Sequence, residues 1–518
     1  MSSLLRSGAV ISAMTMLSRV MGLVRDMIIA RYFPVSGATD AFFVAFKIPN
    51  LLRRFFAEGA FALAFVPVLS EYRETRSREA LKDLVDHVAG TLGLILLLIS
   101  VLGMLAAPWL IYVFAPGFSG QADARPELAA DMLRITFPYI LFISLAGLAG
   151  GILNTFRHFA MPAFAPVLLN VVLIMAAVWA APHFAEPVEA LAWGVFIAGL
   201  AQVLVQLPAL ANLGLLPRFR YRRAHQGVRR IMRLMIPALF GSSVAQLNLV
   251  INTIIASFLV VGSISWLYYS DRFVELPLAI FGVALGTVIL PKLSGDHAKA
   301  DAVAFRSTMD WALRLALLLA IPATCGLVAL AEPILATVMM HGAFQWSDVQ
   351  MSALSLRTYA LGLPAFILVK VLAPGFYSRQ DTRTPVKIGI IAMFSNMLLN
   401  LLIVLPWYWS GLTGAHAGLA LATALAAYIN AGLLFRTLRR EQIFDLRTGW
   451  GKHLLRILVA TLIMVTVLVL LQPAEAWWQA ATVSARSGVL AGLIVAALAV
   501  YFLVLRLLGV DLRRMLGR

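Results

Sequence analysis

Cysteine is all but absent: Cys325 is the one thiol in 518 residues, so no disulfide framework can form within the chain. Charge is scarce too. Only 13% of the residues are charged and 61% are hydrophobic, against about 25% and about 45–50% in soluble domains. A chain so poor in charge cannot cover itself with a water-facing surface. That excludes a soluble globular protein and leaves an integral membrane protein over nearly the full length. Acids are scarcer than bases, 25 Asp and Glu against 42 Lys and Arg, for a net charge of +17. No loop carries the dense acidic motif with which a membrane transferase would hold Mg²⁺. The nearest, SGDHAKAD at 294–301, reads as a solvated loop. A small-residue cleavage site behind a short apolar core is also missing at the amino end, so the first apolar segment is expected to stay as a helix.

What fills the chain instead is long apolar runs. A spanning helix needs about 20 mainly apolar residues. The sequence predicts fourteen such segments: 9–31, 40–69, 87–114, 128–154, 162–181, 188–212, 234–260, 264–291, 308–331, 349–377, 386–406, 414–435, 453–472 and 484–506. The expected fold class is an all-α polytopic membrane protein. An even count puts both termini on one side. Twenty-nine Lys and Arg fall in the loops and ends sharing that side, and three, Arg31, Arg125 and Arg486, in the opposite loops. Cytoplasmic loops collect Lys and Arg, so both termini are expected in the cytoplasm. Trp109, Trp266, Trp346, Trp407, Trp409, Trp477 and Trp478 fall at the predicted outer edge, as an aromatic belt would. The basic stretch RFRYRRAHQGVRR, 218–230, lies where this topology needs cations beside anionic lipid. No nucleic acid is required to explain it.

The chain also repeats itself. LVRDMIIA (23–30) pairs with LVINTIIA (249–256), Pro108 and Gly117 with Pro333 and Gly342, PVLS (67–70) with PKLS (291–294), and LLNVVLI (168–174) with LLNLLIV (398–404). The offset stays between 224 and 230 throughout. Segments 1–6 and 7–12 therefore read as two pseudo-symmetric six-helix lobes of the same orientation, residues 1–217 and 218–440. Residues 441–518 add two further helices. Parallel repeats are related by an axis along the membrane normal, and their substrates sit at the interface near the midplane. This favours a transporter over a channel or a membrane enzyme.

Charges inside the segments carry the chemistry, because a charge at the bilayer centre costs about 2.5–3.5 kcal/mol on insertion scales and usually faces a cavity. Segment 1 holds Arg19, Arg25 and Asp26; segment 2 holds Asp40, Lys47, Arg53, Arg54 and Glu58; segment 8 holds Asp271, Arg272 and Glu275. Arg134, Arg314, Arg357 and Lys370 lie elsewhere; for Arg134, Arg314 and Lys370, internal pairing or snorkelling is the favoured reading. Segment 8 is the repeat partner of segment 2, so the clustered charges are expected to converge on the lobe interface. Arg19 and Asp26 are seven positions apart, on one helix face. Asp271, Arg272 and Glu275 fall within one turn. On an unbroken helix Asp40, Lys47, Arg54 and Glu58 share a stripe and Arg53 points away. Pro49 disturbs that arithmetic by removing a backbone bond, so helical phase prefers Arg54 without excluding Arg53. Guanidinium stays ionised and forks onto phosphate oxygens. A cavity with this many arginines should hold an anion, and a phosphate-bearing lipid fits a chain with no soluble catalytic domain.

Four stretches carry a resemblance: MTMLSRVMGLVRD (14–26), TDAFFVAFKIPNLLRRFFAEGAFALAFVPVL (39–69), SWLYYSDRFVELPLAIFGVALGTVILPKLS (265–294) and KVLAPGFYSRQDTRTPVKI (370–388). They closely resemble the MurJ (MviN) family of lipid II flippases, within the multidrug/oligosaccharidyl-lipid/polysaccharide exporter superfamily, and the resemblance runs through essentially the whole chain. It implies two six-helix lobes that open alternately to cytoplasm and periplasm in the bacterial cytoplasmic membrane. It implies lipid II as cargo, bound through its diphosphate by Arg19, Arg25, Arg53 and Arg272. Asp26, Asp40 and Glu275, with Asp271, would serve charge pairing and gating, leaving Lys47, Arg54 and Glu58 as secondary candidates. The family thus picks Arg53 where helical phase picks Arg54. The last two helices resemble a pair that forms a groove for the polyprenyl tail. The sodium site of part of the family is poorly matched by Asn248, Asn252 and Asp381, so no metal and no cofactor are expected. Dependence on membrane potential or a coupling cation stays open. Expected partners are lipid II, membrane phospholipids and other cell-wall synthesis proteins. A flippase for another polyprenyl-diphosphate glycan shares the cavity logic but should lack these motifs. A cation-coupled drug exporter predicts an acidic or apolar pocket and twelve helices.

Overall fold

The computed structural model describes residues 2–53, 60–120, 125–222, 225–411, 413–445 and 448–510, with side chains throughout except at 2–12, 60, 237–245 and 283–284. Arg54 and Glu58 lie outside the described residues. Among the described residues every regular element is helical. The chain divides into two compact units, Met1–Ser265 and Trp266–Arg518.

The first unit contains α1 (Ser2–Tyr32), α2 (Gly37–Arg53), α3 (Ala60–Thr75), α4 (Arg78–Leu105), α5 (Ala107–Phe114), α6 (Pro126–Thr136), α7 (Tyr139–Thr155), α8 (Ala160–Met175), α9 (Glu189–Leu204), α10 (Leu207–Asn212) and α11 (Gln226–Ser257). Here α1 packs on α8, α2 on α6, α7 and α8 on α9, and α3 on α11. The helix α12 (Ser263–Pro277) begins at the end of this unit. Two buried amide groups inside the bundle donate to backbone carbonyls of neighbouring helices. The Gln202 amide donates to the Ala165 carbonyl at 2.9 Å and the Gln206 amide to the Ala146 carbonyl at 3.2 Å.

The second unit takes up α12 and continues through a π-turn at Leu278–Val283 into α13 (Ala284–Ala298). The turn follows Pro277, whose missing N–H breaks the regular ladder. Then come α14 (Ala302–Ala329), α15 (Ala331–Val338), α16 (Trp346–Leu361), α17 (Leu363–Tyr377), α18 (Arg383–Trp409), α19 (Ala415–Arg440), α20 (Trp450–Leu471), α21 (Glu475–Ala480) and α22 (Val483–Leu507). The centre is α19, against which α16, α17 and α18 pack, while α20 and α22 pair with each other and lean on α14 and α15.

Eleven helical stretches among the described residues are long and apolar enough to cross a membrane. They coincide with eleven of the fourteen expected segments. The other three segments, 9–31, 40–69 and 234–260, each include residues whose side chains are not described; their described helices are α1, α2 with α3, and α11. Large apolar side chains face outward in stripes, including Leu98, Leu102 and Leu105 on α4 and Leu462, Val469 and Leu470 on α20. Lipid, not water, is the solvent such a surface requires. The packing boundary falls at 265/266, beyond the repeat boundary expected at 217/218, because α11 packs within the first unit.

Several intramembrane cations have local structural partners. Arg134 pairs with Asp131 one turn back. Arg314 donates to Asp310 at 2.7 Å and lies over the Trp450 ring at 4.9 Å, while the Trp450 indole donates to the same carboxylate at 2.7 Å. That cluster fastens α20 to α14. Arg357 pairs with Glu332 at 2.9 Å. Arg486 is buried and donates to the carbonyls of Ala336, Met340 and Gln479, holding α22 to α15 and α21.

Candidate functional site

In the first unit the charges of α1 divide by depth. Arg19 is exposed and lines an open cavity of about 580 Å³, with Thr15 and Ser18 on its own helix and Asn154, Phe159, Pro162, Ala163 and Pro166 opposite. No hydrogen bond or ion pair holds Arg19 among the described residues. Two turns on, Arg25 and Asp26 are buried, at 5% and 0% exposure. Arg25 donates from Nε and Nη2 to Asp26 Oδ1 at 2.9 and 2.6 Å, and from Nη1 to Asn170 Oδ1 at 3.0 Å. Asn170 in turn donates to the Ser18 carbonyl at 3.1 Å. Hence the shared face of Arg19 and Asp26 carries two environments: an open guanidinium, and a closed pair that ties α1 to α8.

At the start of α2, Asp40 is 3% exposed. Its Oδ2 accepts from the Gly262 N–H at 2.7 Å, and its Oδ1 accepts from the Ser265 N–H at 2.9 Å and the Ser265 hydroxyl at 2.5 Å. The carboxylate therefore caps the amino end of α12, where unpaired N–H groups and the helix dipole favour an anion. Lys47 is half-buried, and α2 runs through Pro49 to Arg53, which donates to Asn50 Oδ1 at 2.9 Å.

In the second unit, Arg272 donates to Glu275 Oε2 at 3.2 Å and to the Tyr268 hydroxyl at 2.8 Å, with its guanidinium 4.7 Å from the Tyr268 ring centre. The pair is only part-buried. Asp381 is occupied locally: Oδ1 accepts from the N–H groups of Arg383 and Thr384 at the start of α18.

Three partners escape a charge-based reading of the sequence: Asn170, Tyr268 and the Gly262–Ser265 backbone. Asn170 did carry a signal, since it is the asparagine of LLNVVLI. Its counterpart Asn400 in LLNLLIV is also buried and donates to Asn396 Oδ1 at 3.0 Å.

Helices of this length and outward apolar stripes define a polytopic helical membrane protein. A solved structure described as "Lipid II flippase MurJ, inward closed conformation" matches with a TM-score of 0.79 at 29% identity, covering 95% of this chain and 97% of that one. An inward-facing multidrug resistance MATE family transporter of the MOP superfamily matches with a TM-score of 0.67 at 13% identity, over 84% of this chain and 98% of that one. This second likeness is one of fold alone. The family model described as "Lipid II flippase MurJ" matches residues 29–506. The chain is 45% identical to "Probable lipid II flippase MurJ" of Vibrio cholerae over 98% of this chain and 97% of the relative. It is 47% identical to "Lipid II flippase MurJ" of Burkholderia cenocepacia over 89% of each. The chain belongs to the lipid II flippase MurJ family.

Proposed function

We propose that this chain is a transporter, not an enzyme, and that it moves lipid II from the inner to the outer leaflet of the bacterial cytoplasmic membrane. Full-length similarity to relatives that bear that name carries the reading. The exposed guanidinium of Arg19 in an open cavity supports it. Arg19, Arg25, Arg53 and Arg272 share the charge of the diphosphate during passage. Arg19 meets it first, having no partner to give up among the described residues. Arg25 and Arg272 exchange Asp26 and Glu275 for phosphate oxygens, so the acids limit repulsion among bare cations when the site is empty. Asp40 and Asp271 act in gating. The lobes 1–217 and 218–440 rock around the disaccharide-pentapeptide while the polyprenyl tail stays in lipid along the last two helices. Both termini face the cytoplasm. A membrane potential is worth about 2.3 kcal/mol per charge per 100 mV, and an inside-negative potential biases release outward.

The test is complementation in cells whose own lipid II flippase can be shut off, read as periplasmic exposure of labelled lipid II. Rescue by wild type with loss in Arg53→Ala but not Arg54→Ala is the expected result. A correctly inserted wild-type chain that fails to rescue would redirect the cargo to another polyprenyl-diphosphate glycan. Loss in Arg54→Ala alone would keep the cargo and replace Arg53 in the site.

A further inference from the structure

Outside the arginine site, an acid and two histidines meet at the amino end of α4. Asp83 and His87 stand one helical turn apart, and His225, the residue before α11, reaches them from the basic linker. His87 Nδ1 lies 3.2 Å from Asp83 Oδ1, and His225 Nε2 lies 3.2 Å from Asp83 Oδ2. The two imidazoles stack with centroids 4.7 Å apart and planes 20° apart. One donor atom from each of the three residues lies within 4.8 Å of the others. A tetrahedral ion with bonds of about 2.0–2.1 Å sets its donors about 3.3 Å apart. Each imidazole already stands at that distance from one oxygen of Asp83, His87 from Oδ1 and His225 from Oδ2.

We infer that Asp83, His87 and His225 form a binding site for a divalent transition-metal ion of the zinc class. Two imidazoles and one carboxylate suit zinc, whereas Mg²⁺ and Ca²⁺ take oxygen donors. Three protein ligands leave the fourth position to water, and the Asp83 side chain is 46% exposed while the imidazoles are at 10% and 13%. Burial, then the neighbouring His87, hold the His225 pKa below its ordinary 6.5. The neutral imidazole is the form that binds a metal.

Two features oppose the ion. Arg222 acts on His225 with like charge. The metal-free hydrogen bonds also compete: His87 Nδ1 lies 2.8 Å from the Asp83 carbonyl, and His225 Nδ1 accepts from the Val228 N–H at 3.3 Å. An ion on His225 Nε2 puts the proton on Nδ1 and ends that contact. Three metal bonds then replace three hydrogen bonds, His87 to the Asp83 carbonyl, His225 Nε2 to Asp83 Oδ2 and Val228 to His225 Nδ1, and the ion fastens α4 directly to the segment that enters α11.

The test uses the full chain in lipid nanodiscs, purified on a tag without histidine and stripped with a chelator. Zinc chloride is dialysed in, and bound zinc is counted by mass spectrometry. Wild type and the exposed-site control His158→Gln should hold one zinc per chain. His87→Gln and His225→Gln should bind at least about tenfold more weakly, and excess Mg²⁺ or Ca²⁺ should not compete. Zinc should raise the melting temperature of wild type and leave that of the two variants unmoved. Metal-free melting of each variant separates lost ligation from lost folding. No zinc on wild type at micromolar concentration overturns the site. So does unchanged binding when both histidines are replaced, which would mean adventitious metal only. Neither result bears on lipid II transport, which this assay does not read.

Discussion

Asp40 and Ser265 are joined twice, through the backbone N–H at 2.9 Å and the hydroxyl at 2.5 Å, so that a side chain of α2 supplies the cap of α12. The neighbouring donor, Gly262, sits at φ +97°, a left-handed conformation open to glycine and strained for other residues. This places its N–H on the same carboxylate. Asp40→Ala removes the acceptor from a buried helix start, and lost caps cost about 0.5–2 kcal/mol. The expected outcome is faster hydrogen exchange at residues 262–265 and reduced lipid II exposure. Ser265→Ala should show a smaller change in both, since the two backbone donors keep their acceptor.

Arg25 and Asp26 should behave as a unit. Breaking a buried pair by removing one partner costs about 3–5 kcal/mol, because the other charge is left behind. Arg25→Ala should therefore lower the melting temperature of the chain in detergent by more than Asn170→Ala does. The double variant Arg25→Ala/Asp26→Ala should recover part of that loss without recovering transport. A double variant as unstable as the single one would show that Asp26 does not depend on Arg25.

Arg19 predicts the opposite pattern. It is exposed and unpaired among the described residues, so Arg19→Ala should leave stability within about 0.5 kcal/mol. Transport should nonetheless be lost. Thermal unfolding beside the labelled lipid II assay separates the two, and a variant that is stable and still transports removes Arg19 from the site.

For Arg272 the geometry separates charge from shape. Lysine keeps the charge but cannot fork between Glu275 and the Tyr268 hydroxyl. Tyr268→Phe keeps the ring face, a contact worth about 0.5–1 kcal/mol at exposed sites, and loses only the hydroxyl. The expected order of transport is wild type, Tyr268→Phe, Arg272→Lys, Arg272→Ala. Wild-type activity in Arg272→Lys would show that a point charge suffices.

The fold was legible because lipid imposes one rule on every spanning stretch. An apolar run of about 20 residues is a strong signal, and α20 and α22 follow their expected segments to within a few residues. The charged side chains of the site were legible for the same reason, since Arg25 or Asp40 in an apolar run is costly enough to need a cause. Their partners were not. Asn170 and Tyr268 are neutral and tolerable in many environments, and the backbone N–H of Gly262 leaves no mark on composition. Sequence spacing likewise put Arg19 and Asp26 on one face but held no information about which of them a neighbouring helix covers.

The basic linker before α11 is the stretch that its charge and loop position would recommend for inserting a fluorescent protein or an epitope. Its contacts say otherwise. The Arg218 N–H donates to Asp86 Oδ1 at 2.8 Å, and the Arg220 N–H to the Asp86 carbonyl at 3.3 Å. A Cβ at Gly90 would collide with the Arg220 carbonyl, so the linker backbone rests directly on α4. Insertions are tolerated where backbone is exposed and unbonded. A reporter placed at 218–222 would pry this backbone from α4, and its signal would describe a damaged protein.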